Sequence, residues 1–183
     1  MVKPIGTVNS IYRLCVGTPR QGLLAPDARG RIQLAKFGDA KSGDAVIGLE
    51  GYSHIWVLFY FHLNTQSQNN SKNANSKRRV KSKVALPALG GKKVGNLATR
   101  TPHCFNPIGI TLCKLDKIET PSKNNKKDKN HNQVVLHHLG LDLVDGTPIF
   151  DIKPYVPFYD SVVDLNSVSY LLGSPKACRR NDK

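Results

Sequence analysis

Leu141-Asp142-Leu143-Val144-Asp145-Gly146-Thr147-Pro148-Ile149-Phe150-Asp151-Ile152-Lys153-Pro154-Tyr155 alternates apolar residues with acidic and turn-forming ones. A period of two throws successive side chains to opposite faces of an extended chain, and Asp-Gly is a dipeptide that closes tight hairpins. The run therefore reads as two short strands joined at Asp145-Gly146, with carboxylates and a lysine on one side. That side is a candidate site, because neighbouring aspartates repel one another unless a ligand, a cation or backbone donors hold them. The plainer alternative is a solvated acidic edge.

Outward from this hairpin the chain continues as short strand patterns cut by 15 Gly and 11 Pro. Val2 to Val8, Arg31 to Phe37, Ile55 to Phe61, Gly109 to Ile118, Gln133 to Leu139 and Ile149 to Tyr155 carry the β-branched content, alternation or buried apolar run of strands. Helix is scarce, with Asp44 to Glu50 the best candidate, and nothing supports alternating strand and helix units. The expected fold is all-β and mainly antiparallel, a small closed or nearly closed β-barrel with one short helix, since closure removes vulnerable sheet edges. At 183 residues and 39% hydrophobic content the chain is expected to be a single soluble domain over residues 1–160, followed by a loose basic tail over 161–183. Two inserts interrupt it. Thr65 to Lys83 is rich in Asn, Ser and Lys and is expected to be disordered, and Pro121 to Asn132 is a charged hairpin tip.

Charge is the second strong signal. The chain carries 27 basic and 13 acidic side chains, a net +14, and from Gly51 to Leu115 there is no Asp or Glu at all. That window includes Lys77, Arg78, Arg79, Lys92, Lys93 and Arg100, an uncompensated field suited to a polyanion, so nucleic acid is the natural partner. A basic loop kept for solubility is the alternative. No apolar stretch approaches the length of a membrane span and no amphipathic helix accompanies the lysines, so no membrane partner is expected. The start shows no signal-peptide pattern, which points to a cytoplasmic address with a nuclear one open. Cys15, Cys104, Cys113 and Cys178 lack zinc-ligand spacing and scaffold density and read as free thiols, with no metal expected. Neither a Gly-x-Gly-x-x-Gly fingerprint nor a phosphate-cradling Gly-x-x-x-x-Gly-Lys loop is present, so a dinucleotide enzyme or an NTPase is unsupported.

Four blocks in order carry a more specific resemblance: Pro4-Ile5-Gly6-Thr7-Val8 with Gly17-Thr18-Pro19-Arg20-Gln21; Gly48 to His62; Ala98-Thr99-Arg100-Thr101-Pro102-His103 with Asn106-Pro107-Ile108-Gly109; and the Leu141 to Tyr155 run. Together they resemble the TrmO/YaeB-like family, S-adenosylmethionine-dependent methyltransferases acting on N6-threonylcarbamoyladenosine beside the tRNA anticodon. The resemblance implies a β-barrel, a homodimer, S-adenosylmethionine as donor and the tRNA anticodon stem-loop as partner. A donor pocket of that kind must hold opposite charges, an arginine for the carboxylate and carboxylates or carbonyls for the ammonium and ribose.

Matched block by block, the donor would be held by Arg20, Gln21, Gly22, His62, Leu63, Arg100, Ile110, Leu141, Asp142, Leu143 and Asp145. RNA would be met by Lys77, Arg78, Arg79, Lys92 and Lys93. Direct methyl transfer needs alignment more than covalent catalysis, and Asp151 and Tyr155 are the candidate general bases for the acceptor nitrogen. Judged singly, His62 could be a strand-end histidine, Asp145 a turn former, and Tyr155 an outward strand residue. One departure stands out: Cys104-Phe105 occupies the place of an Arg-Pro pair, so a cation is lost where altered tRNA choice or base stacking could follow. A catalytically silent RNA-binding barrel and a partner-binding module are the other two classes that fit.

Overall fold

The computed structural model describes residues 2–14, 17–19, 22–35, 42–64, 80–86, 90–121 and 133–161. Six strands build the body: β1 (Gly6–Ser10), β2 (Arg29–Leu34), β3 (His54–Tyr60), β6 (Ile108–Glu119), β7 (Val135–Leu139) and β8 (Pro148–Pro154). A separate two-stranded ribbon is formed by β4 (Lys83–Ala85) and β5 (Lys93–Gly95). The six close into a barrel in the order β1-β2-β7-β6-β3-β8, every neighbouring pair antiparallel. Closure removes the two free edges of an open sheet, with the β1–β8 seam the shortest, pairing only Gly6 with Ile149 and Thr7 with Pro148.

Inward rows fill the lumen. Ile55, Val57 and Phe59 of β3 face Cys113 and Leu115 of β6, Leu136 of β7, Ile32 and Leu34 of β2, Val8 of β1 and Ile149 of β8, all buried. Each such side chain contributes about 1.5–3 kcal/mol by leaving water. Gly109 makes room for this packing, since a Cβ there would lie 2.3 Å from the Phe59 ring.

Two bulges correct the simple alternation. Across β3 and β8, Leu58 faces Asp151 while Phe59 faces Ile149, so Phe150 is an extra residue. Ile149 and Ile152 both reach the core side, which pushes Phe150 and Asp151 together to the outer face. Across β6 and β7 the register slips between Leu115 and Lys117, and Asp116 and Lys117 are both exposed.

All six expected barrel strands are present, most with ends shifted by a few residues. The expected helix at Asp44 to Glu50 is instead two 3-10 turns, Asp44–Val46 and Leu49–Gly51, parted by Gly48 in the left-handed region at φ +83°. The one α-helix among the described residues is a single turn, α1 (Pro157–Asp160). The expected hairpin is half right: Val144 to Thr147 forms the Asp-Gly turn, with Gly146 at φ +76°, but residues 141–144 are not a strand. Leu141 and Leu143 turn into the barrel instead and plug its end. The insert at 65–83 lies outside the described residues up to 79; its last residues lead into the β4–β5 ribbon, which the sequence did not announce. Most of the tip at 121–132 and the tail beyond Ser161 also lie outside.

Candidate functional site

The register decides where chemistry can gather. β3, β1 and β7 end, and β6, β2 and β8 begin, at the same end of the barrel. The three connections spanning residues 11–28, 61–107 and 140–147 therefore crowd one mouth. Arg100, Asp142, Gly22, His62 and the lysine ribbon all belong to these connections.

Asp142 is the centre of the arrangement. With Leu141 and Leu143 buried on either side, its carboxylate is half-buried at the mouth. Thr111, an inward residue of β6, donates its hydroxyl to Asp142 Oδ1 at 2.9 Å, and the Gly22 backbone N–H donates as well. Burial pushes the Asp142 carboxyl above its ordinary range, opposed by these hydrogen bonds and by the charge of Arg100. The same carboxylate helps burial push the Cys113 thiol up to about 12, which makes that thiol inert.

Gly22 reaches Asp142 because two connections cross at glycines. A Cβ on Gly22 would lie 2.0 Å from the Gly140 carbonyl oxygen, and Gly140 itself sits at φ +69°. Only hydrogens fit at that crossing. The outer side of the 140–147 connection is tied to β1: Ser10 N–H donates to Asp145 Oδ1 at 2.9 Å, Ser10 Oγ donates to the Leu143 carbonyl at 2.7 Å, and Asp145 N–H donates to the Tyr12 carbonyl at 2.7 Å.

The structure thus brings Gly22, Arg100 and Asp142 together, with Leu141 and Leu143 as the apolar floor. His62 follows β3 at the same mouth, and burial lowers its pKa against a hydrogen bond with the Tyr60 backbone. Leu63 beside it is exposed, and Lys92 and Lys93 are exposed on the ribbon. Arg20, Gln21, Lys77, Arg78 and Arg79 lie outside the described residues.

Three expected residues are placed elsewhere. Ile110 is on the outer face of β6, level with Leu58, with the sheet between it and Asp142. Asp151 is carried to the outer face by the β8 bulge, where its carboxylate accepts from Lys153 Nζ at 2.7 Å and from Ile152 N–H at 2.9 Å. Tyr155 lies at the opposite end of the barrel, its N–H on the His54 carbonyl and its ring edge-on to His54 and Trp56. Within one chain neither candidate base reaches the mouth. The sequence reading missed Thr111; its signal was a polar residue on the inward row that also holds Cys113 and Leu115.

Chemically, a half-buried carboxylate near an arginine, over an apolar floor and beside backbone donors, suits a small ligand carrying both charges. A model of the tRNA-methyltransferase O N-terminal domain family matches residues 7–161. The mouse tRNA (adenine(37)-N6)-methyltransferase is 35% identical over 166 residues, 91% of this chain and 33% of that protein. A putative S-adenosylmethionine-dependent methyltransferase, RcsF, from Pseudomonas aeruginosa is 40% identical over 167 residues, 91% of this chain and 59% of that one. The crystal structure of TrmO from Pseudomonas aeruginosa superposes with a TM-score of 0.59 at 34% identity, covering 90% of this chain and 59% of that one. The chain spans about a third of the mouse relative and about three fifths of the bacterial one. Fold and family model agree over the whole barrel: this chain belongs to the tRNA-methyltransferase O N-terminal domain family.

Proposed function

We propose that this chain is the catalytic domain of a tRNA methyltransferase that transfers a methyl group from S-adenosylmethionine to N6 of N6-threonylcarbamoyladenosine beside the anticodon. The observation that carries the reading is Asp142, a half-buried carboxylate set near Arg100 under three converging connections. Both charges of such a site match a donor that is a zwitterion at one end and a sulfonium in the middle. The name of the mouse relative supports N6 of adenine 37 in tRNA as the acceptor, and that of the Pseudomonas relative supports S-adenosylmethionine as the donor.

When bound, S-adenosylmethionine supplies an electrophilic methyl carbon. Arg100 would take its carboxylate, and Asp142, held by Thr111 and the Gly22 N–H, would face its cationic part. Leu141 and Leu143 close the floor against water. Arg20, Gln21, His62, Leu63 and Asp145 complete the proposed donor set around the mouth, whereas Ile110, behind the sheet on the outer face of β6, does not reach it within one chain. Alignment rather than covalent chemistry then carries the rate. Lys92 and Lys93, with Lys77, Arg78 and Arg79 in the same connection, would meet the phosphates of the anticodon stem-loop in the cytoplasm. Exposed Ile108 and Ile110, beside Trp56, Leu58 and Tyr60 on the outer sheet, favour a homodimer.

The test is incubation with labelled donor and tRNA that carries or lacks the threonylcarbamoyl group, followed by digestion to nucleosides and mass spectrometry. Label on the threonylcarbamoyl base alone is the expected result. Label on unmodified adenosine would redirect the substrate, and tRNA binding without donor binding would select a silent RNA-binding barrel.

A further inference from the structure

Arg100 is exposed, in a connection of more than forty residues, and something must hold it in register with Asp142. The geometry points to Asn96: we propose that it is the positioning residue that fixes Arg100 at the donor site and ties that arginine to the lysine ribbon. This inference rests on the donor reading of Arg100 given above.

Asn96 is 2% exposed, in a stretch whose neighbours Leu97 and Ala98 are exposed. Its Nδ2 donates to two carbonyls, those of Lys81 and His103, each at 2.8 Å. Both partners are acceptors, so the amide can sit only one way round. Its backbone N–H donates to the Ser82 carbonyl at 2.9 Å, which anchors it to the residue before β4. Its own carbonyl accepts from Thr99 N–H at 3.1 Å and from Thr99 Oγ1 at 2.8 Å.

From there the bonds run around a circuit. Thr101 N–H donates to Thr99 Oγ1 and His103 N–H donates to Thr101 Oγ1, each at 3.3 Å, and His103 returns to the Asn96 amide through its carbonyl. Arg100 lies between the two threonines of this closed loop. One side chain thus closes the loop that bears the arginine and fastens it to the foot of the ribbon that bears Lys83 and Lys93. The arrangement is not built for stability alone, because the Asn96 Oδ1 is buried among the described residues without a partner. A polar group retained at that cost is expected where a site must be held still.

The experiment compares four proteins: the parent chain, Asn96→Ala, Arg100→Ala and the double variant. Each is measured for S-adenosylmethionine binding by calorimetry, for donor KM and kcat with threonylcarbamoylated tRNA, and for thermal unfolding. Arg100→Ala is expected to weaken donor binding by about a hundredfold, the loss of a charge-assisted pair. Asn96→Ala should weaken it by about tenfold, raise the donor KM and leave kcat at saturating donor near that of the parent. The double variant should bind no more weakly than Arg100→Ala, because Asn96 acts only through that arginine. Should Asn96→Ala not fold, Thr99→Val breaks the circuit at its second link and is expected to move donor KM the same way. Donor affinity unchanged in Asn96→Ala, or losses that add in the double variant, would overturn the positioning role while leaving the donor site intact. Unchanged affinity in Arg100→Ala would instead bring down the donor reading and this inference with it.

Discussion

His138 offers a measurement of the barrel that is independent of any ligand. It lies on β7 with its side chain 1% exposed, and neither ring nitrogen has a partner among the described residues. Gly30 opposite leaves space for it: a Cβ there would come within 3.1 Å of the His138 ring and 2.2 Å of Leu141. Burial holds the imidazole down at about 4, with the neighbouring His137 adding to the effect. A histidine whose folded pKa is depressed is neutral in the folded chain and takes its proton first in the unfolded one. Its contribution is therefore full above the unfolded value near 6.5 and is lost as pH falls toward 4. Over the interval from pH 7 to pH 5 the loss amounts to about 2 kcal/mol. Replacement by leucine, similar in volume and free of polar atoms, should leave stability at pH 7 equal or higher and remove most of that slope. The comparison isolates His138, because Asp142 titrates alike in both proteins and Glu119, held down at about 2 by Lys117 and His137, contributes below the interval. Urea unfolding at pH 7 and pH 5 of the two proteins reads the difference directly. Equal pH slopes in parent and His138→Leu would refute a buried, neutral imidazole in the lumen.

Gly22→Ala places a Cβ 2.0 Å from the Gly140 oxygen, a backbone clash that costs about 1–3 kcal/mol and takes the Gly22 N–H off Asp142; urea melts and donor calorimetry should both fall, whereas Gly43→Ala, with nothing within 4 Å, should leave both unchanged. Thr111→Val removes the hydroxyl that lowers the Asp142 pKa, so the acid limb of donor affinity should move to higher pH; an unmoved limb would detach Asp142 from the donor. Asp151→Asn breaks only an outer pair with Lys153, worth at most about 1 kcal/mol, and turnover should persist; a fall of about a hundredfold or more would restore Asp151 as the proton acceptor.

What could be read from the sequence follows from which residues obey a single rule. β3 was legible to within a residue because Ile55 to Phe61 is an unbroken apolar run of strand length, although only Ile55, Val57 and Phe59 of it turn inward. β8 was legible as a strand with Asp151 and Lys153 on one side, but not in which side that is, since the bulge at Phe150 leaves no mark in composition. The β4–β5 ribbon pairs only three residues on each side and is bonded at its foot by Asn96, a residue more than ten positions away from the carbonyl of Lys81 that it holds. Local pattern cannot report such a bond. At the candidate site, Arg100 and Gly22 were legible through family resemblance alone and Asp142 also through the acidic run at 141–155, whereas Thr111 carried a physical signal in a polar side chain on a buried row.

The mouth also resolves an electrostatic conflict in the proposed reaction. In that reaction a strongly basic rim would draw tRNA, yet the same field would repel a sulfonium donor. The chain separates the two by origin and by burial. The basic connection from 61 to 107 contains no acid, while Asp142 arrives from the 140–147 connection, withdrawn beside Leu141 and Leu143. Charges on the solvated rim are screened over about 8 Å at physiological salt, but a half-buried carboxylate acts through less water and dominates at contact range. Desolvation that raises the Asp142 pKa is the cost of that placement, and the Thr111 hydroxyl, the Gly22 N–H and Arg100 offset it. A cation bound there offsets it further, so donor binding and ionisation of Asp142 reinforce each other while the rim remains positive for RNA.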